Sequence, residues 1–291
     1  MKNIILGGGY AGLNVYYNLN RNKILLSNTN KFIFYTALLR NIIEKTNYIS
    51  KVRFIKEEQI KDIDLKDRII KTDKDEYYAD NLIVTLGCKR LNLDKIINSL
   101  IKTDNIILGA EDQYDEYITL QMAFYAKRLG KDVKYSGSPL SWLGKNVEEK
   151  VNILLDKYNI KIYEKPNLIL QKCEPPEFLD FLKVNENLEV KKGVYAAGDI
   201  IFGWPKLGEL AMRSGRFLGK KLSKNNDSPF DPIFIFILDT GYGEALHIRS
   251  KVPWGNTWNI AKISRIRALM KKFIEKYYII RKGNMGFLYY L

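Results

Sequence analysis

Apolar and polar positions along this chain follow a strand–helix–strand rhythm. Residues 3–6, NIIL, form a short apolar run, and LNVYYNL after it carries apolar residues at helical spacing. KILLSN (23–28) and ADNLIVTLG (79–87) read as further buried strands. The run NIILG (105–109) leads into the helical pattern AEDQYDEYITLQMAFYAKRLG, then the strand DVKYSG. A helix, VEEKVNILLDKY (147–158), and a strand, NIKIYE (159–164), follow. GVYAAGD (193–199) is another apolar strand, and PKLGELAMRSGRFLGKKL (205–222) another helix. Strands that alternate with helices in this way predict an α/β fold of parallel sheets, in two Rossmann-like units.

From Trp254 the pattern changes. Trp258, Ile260, Ile263, Ile266, Leu269, Met270, Phe273, Ile274 and Tyr277 recur at three-to-four spacing, which predicts an amphipathic helix. Lys262, Arg265, Lys271, Lys272 and Lys276 fall on its other side, with Glu275 the only acid there. Tryptophans at one end and paired tyrosines at the other suit a lipid headgroup boundary. A packed core helix or dimer helix with a solvated basic face is the plainer alternative.

The 291 residues suffice for two modest domains, and 46% hydrophobic with 27% charged content is globular. The apolar run PIFIFIL at 232–238 is far short of a spanning helix. The chain reads from its first residues into a strand, so no signal peptide is expected and a cytoplasmic setting is. The net charge of +14 implies an acidic partner, nucleic acid or anionic lipid. The concentration of that charge in the tail favours lipid, and no nucleic-acid recognition motif is present. Cys88 and Cys173 make no CxxC pair, and His247 is the single histidine, so no metal site is expected. Both cysteines read as ordinary buried thiols. Any redox chemistry must then be carried by a bound organic cofactor.

The candidate for holding one is GGGYAG. Between a strand and a helix, Gly7 permits a tight turn, Gly9 lets the backbone approach a pyrophosphate, and Gly12 allows close helix–strand packing. Gly8, Tyr10 and Ala11 complete the loop, whose helix N-terminus favours phosphate. At the end of the second strand, where a ribose-binding acid is expected, stand Ser27 and Asn28, which can hydrogen-bond a hydroxyl without adding charge. Thr85, Leu86 and Gly87 resemble a turn that closes over such a cofactor. Gly198 allows close approach, and Asp199 suits a hydrogen bond to a ribityl chain. Ile60 is expected among the cofactor contacts.

With these segments in place, the chain resembles the type II NADH dehydrogenase and sulfide:quinone oxidoreductase family of FAD-dependent enzymes. The stretches that carry the resemblance are GGGYAGL, FIFYTALL at 32–39, YADNLIVTLG, CEPPEFLDF at 173–181, GVYAAGD and PKLGELAMRSGRFLGKKL. The resemblance implies a discontinuous FAD domain (1–100 and 175–250), a reduced NAD(P)H-domain-like unit (101–174) and a C-terminal membrane-surface tail (251–291). It places Lys206 and Leu207 at the isoalloxazine and Gly208, Glu209 and Met212 near a quinone, with Lys206 and Glu209 as the catalytic candidates. Glu209 stands where the family usually has Gln, and Thr36 where it has Pro. Neither cysteine falls where the family's redox pair is expected.

The middle unit departs further. After Gly109 no glycine precedes the helix; Glu111, Asp112, Asp115 and Glu116 crowd its start instead. Each carboxylate about 4 Å from a phosphate charge costs on the order of 4 kcal/mol before screening, so NADH in the usual pose is disfavoured. The function expected is therefore a peripheral FAD-dependent oxidoreductase on the cytoplasmic face of the membrane. It would pass electrons from an unidentified donor to a quinone, as a monomer or a homodimer. Two alternatives stand beside it: a non-catalytic flavin-binding subunit or scaffold, and a soluble NAD(P)H-dependent disulfide reductase relative.

Overall fold

The computed structural model describes residues 1–20, 22–224 and 228–290. Leu291, the last residue of the expected tail, lies outside them. The helices are α1 (Tyr10–Asn18), α2 (Tyr35–Arg40), α3 (Leu93–Lys102), α4 (Glu116–Arg128), α5 (Lys145–Lys157), α6 (Gly208–Lys224) and α7 (Arg265–Ile280). None of them is long and apolar enough to cross a membrane.

The opening run Asn3–Leu6 is buried at every position because it lies between two parallel partners, Lys23–Ser27 and Asn81–Val84. Val194–Ala196 extends the sheet beyond Asn81–Val84, and Glu189–Lys191 and Lys56–Glu57 form its edges. α1 and α6 pack together on small residues. A Cβ on Gly215 would fall inside the carbonyl of Ala11, and one on Gly219 would stand 2.7 Å from the Val15 carbonyl oxygen. The α/β architecture is thus observed as the pattern of apolar runs predicts, the first sheet parallel except for its antiparallel edge strand Glu189–Lys191.

A second sheet of four parallel strands runs in the order Lys161–Ile162, Asp132–Ser136, Asn105–Ala110, Leu168–Leu170. α4 and α5 contribute to its core through Leu120, Phe124, Val151 and Leu154. An antiparallel sheet, Phe234–Asp239, Ala245–Ser250 and Asn259–Ser264, joins the same core through Phe234, Phe236, Leu246 and Ile248. Residues 234–250 therefore pack with the middle unit.

The tail differs from its expected form in three ways. Residues 259–264 are a strand, paired Ala261 to Ile248 and Ile263 to Leu246, because the free edge of Ala245–Ser250 outcompetes a helix for a short, ambiguous apolar run. Ser264 then caps α7 by accepting a hydrogen bond from the Ile266 N–H at 3.2 Å. Finally, Lys271 does not share the outer basic face. It is buried with Glu275, donating to the Ile237 carbonyl at 2.7 Å and to Gln121. Arg40 joins Glu275 to Asp239, 2.8 Å away, in the same buried network.

α7 therefore turns a mixed face inward. That face holds Lys271 and Glu275 beside Ala268, Tyr278 and Ile279, while Ile266, Leu269, Phe273 and Ile280 are 54–76% exposed on the opposite face. Their i, i+3, i+7, i+14 spacing makes one continuous stripe. Lys272, Lys276 and Arg265 are exposed beside it.

Cys88 and Cys173 form a disulfide, a correction to their reading as separate thiols. The bond joins the segment after the Thr85–Gly87 turn to the chain returning from the middle unit, reinforced by paired backbone hydrogen bonds between Lys89 and Glu174.

Candidate functional site

Three chain turns meet where the central strands of the first sheet end. Gly7 adopts φ +106°, and a Cβ there would lie 2.5 Å from the Thr85 carbonyl oxygen, so only glycine fits the turn. A Cβ on Gly12 would fall inside the Gly7 carbonyl; its absence seats α1 against the first strand. Gly9 is exposed, with no atom within 4 Å of where a Cβ would stand, which leaves its backbone approachable. Thr85 donates its hydroxyl to the Leu6 carbonyl at 2.7 Å and so locks the second turn to the first.

The third turn, Gly198–Asp199, closes the group. Gly198 has φ +79° and donates its N–H to Ser214 on α6 at 3.0 Å. Asp199 faces the Thr85–Gly87 turn, its Cβ 4.0 Å from the Cβ position of Gly87. Burial raises its carboxyl above the usual carboxylate range, with Arg90 and Lys206 pulling the other way.

The ends of the second and later strands supply the remaining expected contacts. Ser27 is buried beneath Gly8, its Oγ 3.1 Å from that residue's Cβ position. The Asn28 side chain accepts the Ile60 N–H at 3.2 Å, and the Ile60 side chain is buried. Ala11 is buried in α1; Leu86 is half-buried.

The start of α6 comes to the same place. A Cβ on Gly208 would touch the Tyr10 ring at 3.0 Å, so the absence of a side chain lets the aromatic pack there. The Tyr10 hydroxyl accepts the Tyr35 N–H at 2.7 Å. Lys206 and Leu207 are buried. Lys206 donates to the Ile201 carbonyl at 2.6 Å, and burial lowers its pKa to about 8 while Asp199, Asp112 and Asp115 oppose the shift. Glu209 is raised by burial, with Arg213 opposing; it is 3.0 Å from the Arg213 Nε and accepts the Tyr278 hydroxyl at 3.4 Å. Met212, one turn along α6 from the half-buried Gly208 and Glu209, is 1% exposed and packs into the core of the first sheet.

Sequence reasoning missed a buried pair at this site. Arg90 forms an ion pair with Asp115, and among the described residues the Arg90 Nε and the Asp115 Oδ2 have no hydrogen-bond partner. Unsatisfied buried groups are costly and point to a polar ligand in contact with them. Tyr117 lies beside the pair and donates its hydroxyl to the Lys206 carbonyl. No local pattern announces Arg90, because its partner sits in the other unit.

The four acids of the middle unit are all engaged. Glu116 accepts the Ser138 N–H at 2.7 Å and the Leu140 N–H at 3.1 Å. Glu111 accepts the Lys172 N–H at 3.0 Å, and Asp112 accepts the Tyr114 N–H at 2.9 Å. Side chains thus occupy the turn that the first unit leaves to glycine. His247 lies on the strand Ala245–Ser250; burial and neighbouring arginines hold its pKa down to about 4, so it is neutral near pH 7.

No family model matches the chain. Its fold is that of several solved oxidoreductases. The sulfide:quinone oxidoreductase of the hyperthermophilic bacterium Aquifex aeolicus superposes with a TM-score of 0.80 at 16% identity, over 98% of this chain and 93% of that one. NADH:rubredoxin oxidoreductase from Clostridium acetobutylicum gives 0.63 at 17% identity, over 86% and 82%. Reduced CoADR-RHD from Bacillus anthracis gives 0.66 at 14% identity, over 85% and 61%.

Proposed function

We propose that the chain is an FAD-dependent oxidoreductase that works at a membrane surface and delivers electrons to a quinone. One observation carries the cofactor assignment: the turns at Gly7–Gly12, Thr85–Gly87 and Gly198–Asp199 converge with the unpartnered Arg90 and Asp115 atoms. Gly7, Gly8, Gly9, Tyr10, Ala11 and Gly12 would receive the pyrophosphate, with Ser27, Asn28 and Ile60 toward the adenosine. Thr85, Leu86, Gly87, Gly198 and Asp199 would hold the remainder, and Lys206 with Leu207 the redox end. FAD supplies the capacity to take up and hand on an electron pair.

The chain's own residues supply position, charge and protons. Lys206 is cationic below about pH 8, and the N-terminus of α6 adds partial positive charge; together they favour an electron-rich bound group. Glu209, raised by burial and bonded to Tyr278, is the group to hold a proton for a quinone beside Gly208. The fold likeness to a sulfide:quinone oxidoreductase supports that acceptor. The apolar outer face of α7, flanked by Lys272 and Lys276, supports surface attachment to anionic lipid. A non-catalytic flavin-binding subunit is the second reading, favoured by the acid-filled turn of the middle unit.

Anaerobic titration with sulfide and with NADH, following flavin absorbance, separates the readings and identifies the donor. Turnover with a soluble quinone analogue supports the enzyme. Bound flavin that no donor bleaches and that reduces no quinone overturns the enzymatic reading.

A further inference from the structure

A second site lies away from the three turns. A cavity of about 520 Å³ opens between one face of α6, the segment 228–233, the end of the strand Ala245–Ser250 and Tyr289. α6 contributes Arg213, Arg216, Phe217 and Lys220 at helical spacing, and Arg249 enters from the strand. Tyr289 is ringed by cations: the Arg216, Arg213 and Lys220 head groups lie 4.5, 5.0 and 5.7 Å from its ring centre.

The hydrogen bonding of this cluster is incomplete. Arg213 and Arg216 are each 8% exposed, and Arg216 donates to the Gly286 carbonyl at 3.0 Å and the Tyr290 hydroxyl at 3.3 Å; among the described residues, the Arg213 Nη2, the Arg216 Nε and the Arg249 Nε have no partner. Arg213 is balanced by Glu209, and Lys251 by Asp231. Among the described residues, no carboxylate pairs with Arg216, Lys220 or Arg249. Three buried or half-buried cations without counter-charge, two of them guanidinium groups with free N–H directions, are costly unless an anion completes them. Guanidinium groups offer paired donors that match phosphate oxygens. The walls between them are aromatic, from Phe217, Phe230 and Trp258.

We propose that this cavity binds a phosphate-bearing ligand, with the phosphate held by Arg216, Arg249 and Lys220 and its apolar portion against the aromatic walls. The phosphate belongs either to a free solute or to a lipid headgroup, and the two sources separate experimentally. The site is independent of the flavin reading, since none of these three cations belongs to the three turns.

The test uses the full chain with any bound cofactor retained. Calorimetric titration with inorganic pyrophosphate reads the free source. Flotation with phosphatidylcholine vesicles, with and without phosphatidylglycerol, reads the lipid source. Arg249→Gln and Lys220→Gln are the variants; Lys220 is half-buried on α6, so its replacement keeps the test open if the Arg249 variant fails to fold. Pyrophosphate binding that weakens about tenfold in both variants supports a free phosphate ligand, as expected for loss of one charge-assisted hydrogen bond. Tighter attachment to vesicles with phosphatidylglycerol than to those without, the difference lost in both variants, supports a headgroup. A Leu269→Ser change should weaken attachment to both kinds of vesicle, whereas the cavity variants affect only the anionic ones. If neither probe binds, or folded variants bind as tightly as the parent, the proposal is overturned.

Discussion

The first and middle units place a strand, a turn and a helix in the same order, and then use the turn in opposite ways. At Gly7–Gly12 the side chains are removed: Gly9 is open to solvent and Gly12 admits α1. At Gly109–Glu116 the side chains are added: Asp112 takes the Tyr114 N–H within the turn, while Glu111 and Glu116 reach the Lys172, Ser138 and Leu140 N–H groups of neighbouring segments. One topology thus yields an anion-ready turn and an anion-repelling one. The lesson is that the parallel sheet makes a nucleotide site possible, and the few residues of the turn decide whether it exists.

The largest expected effect comes from separating the two units chemically. Replacing Cys88 and Cys173 by Ser opens a link between positions 85 residues apart and should cost about 4 kcal/mol of stability in a denaturant titration under non-reducing conditions. An unchanged midpoint would show that the units do not depend on the bond. Next, Gly12→Val should cost about 3 kcal/mol and abolish FAD retention, because its side chain must enter the Gly7 carbonyl. The matching change Gly109→Ala meets the Ser136 carbonyl oxygen at 3.0 Å and should cost about 1 kcal/mol, leaving FAD content unaltered. Equal effects would erase the contrast between the turns. Glu116→Ala strands the buried Leu140 N–H and the partly buried Ser138 N–H and should destabilise by about 2 kcal/mol without creating NADH affinity in calorimetry.

The smallest effect is a pH dependence with one lysine beside each unit. Lys206 and Lys271 both have folded pKa values lowered to about 8 by burial. Between about 8 and the ordinary value of 10.5, the unfolded chain holds protons that the folded chain has shed, so stability rises with pH across that window. Lys206→Met should remove part of that rise, measured by chemical denaturation at either end of the window. A flat parent profile would show that both lysines stay charged.

What was legible in the sequence follows from how local each signal is. The glycine turn reads directly, because its residues, strand and helix are contiguous. The acids after Gly109 read as an obstruction for the same reason, although their partners at Ser138, Leu140 and Lys172 do not. Arg90 and Asp115 meet across two units, and the disulfide spans 85 positions, so neither leaves a local trace. In α7 the helical spacing of apolar residues was visible, but spacing alone does not say which face turns inward. Arg40, itself paired with Asp239, draws Glu275 inward beside the buried Ala268, Tyr278 and Ile279.

The most direct measurement is calorimetric titration of the cofactor-free chain with FAD and then with NADH. The account predicts one FAD per chain, lost in Gly12→Val, and no NADH at the second turn. A chain that takes two dinucleotides, or that binds no FAD while folded, would contradict it.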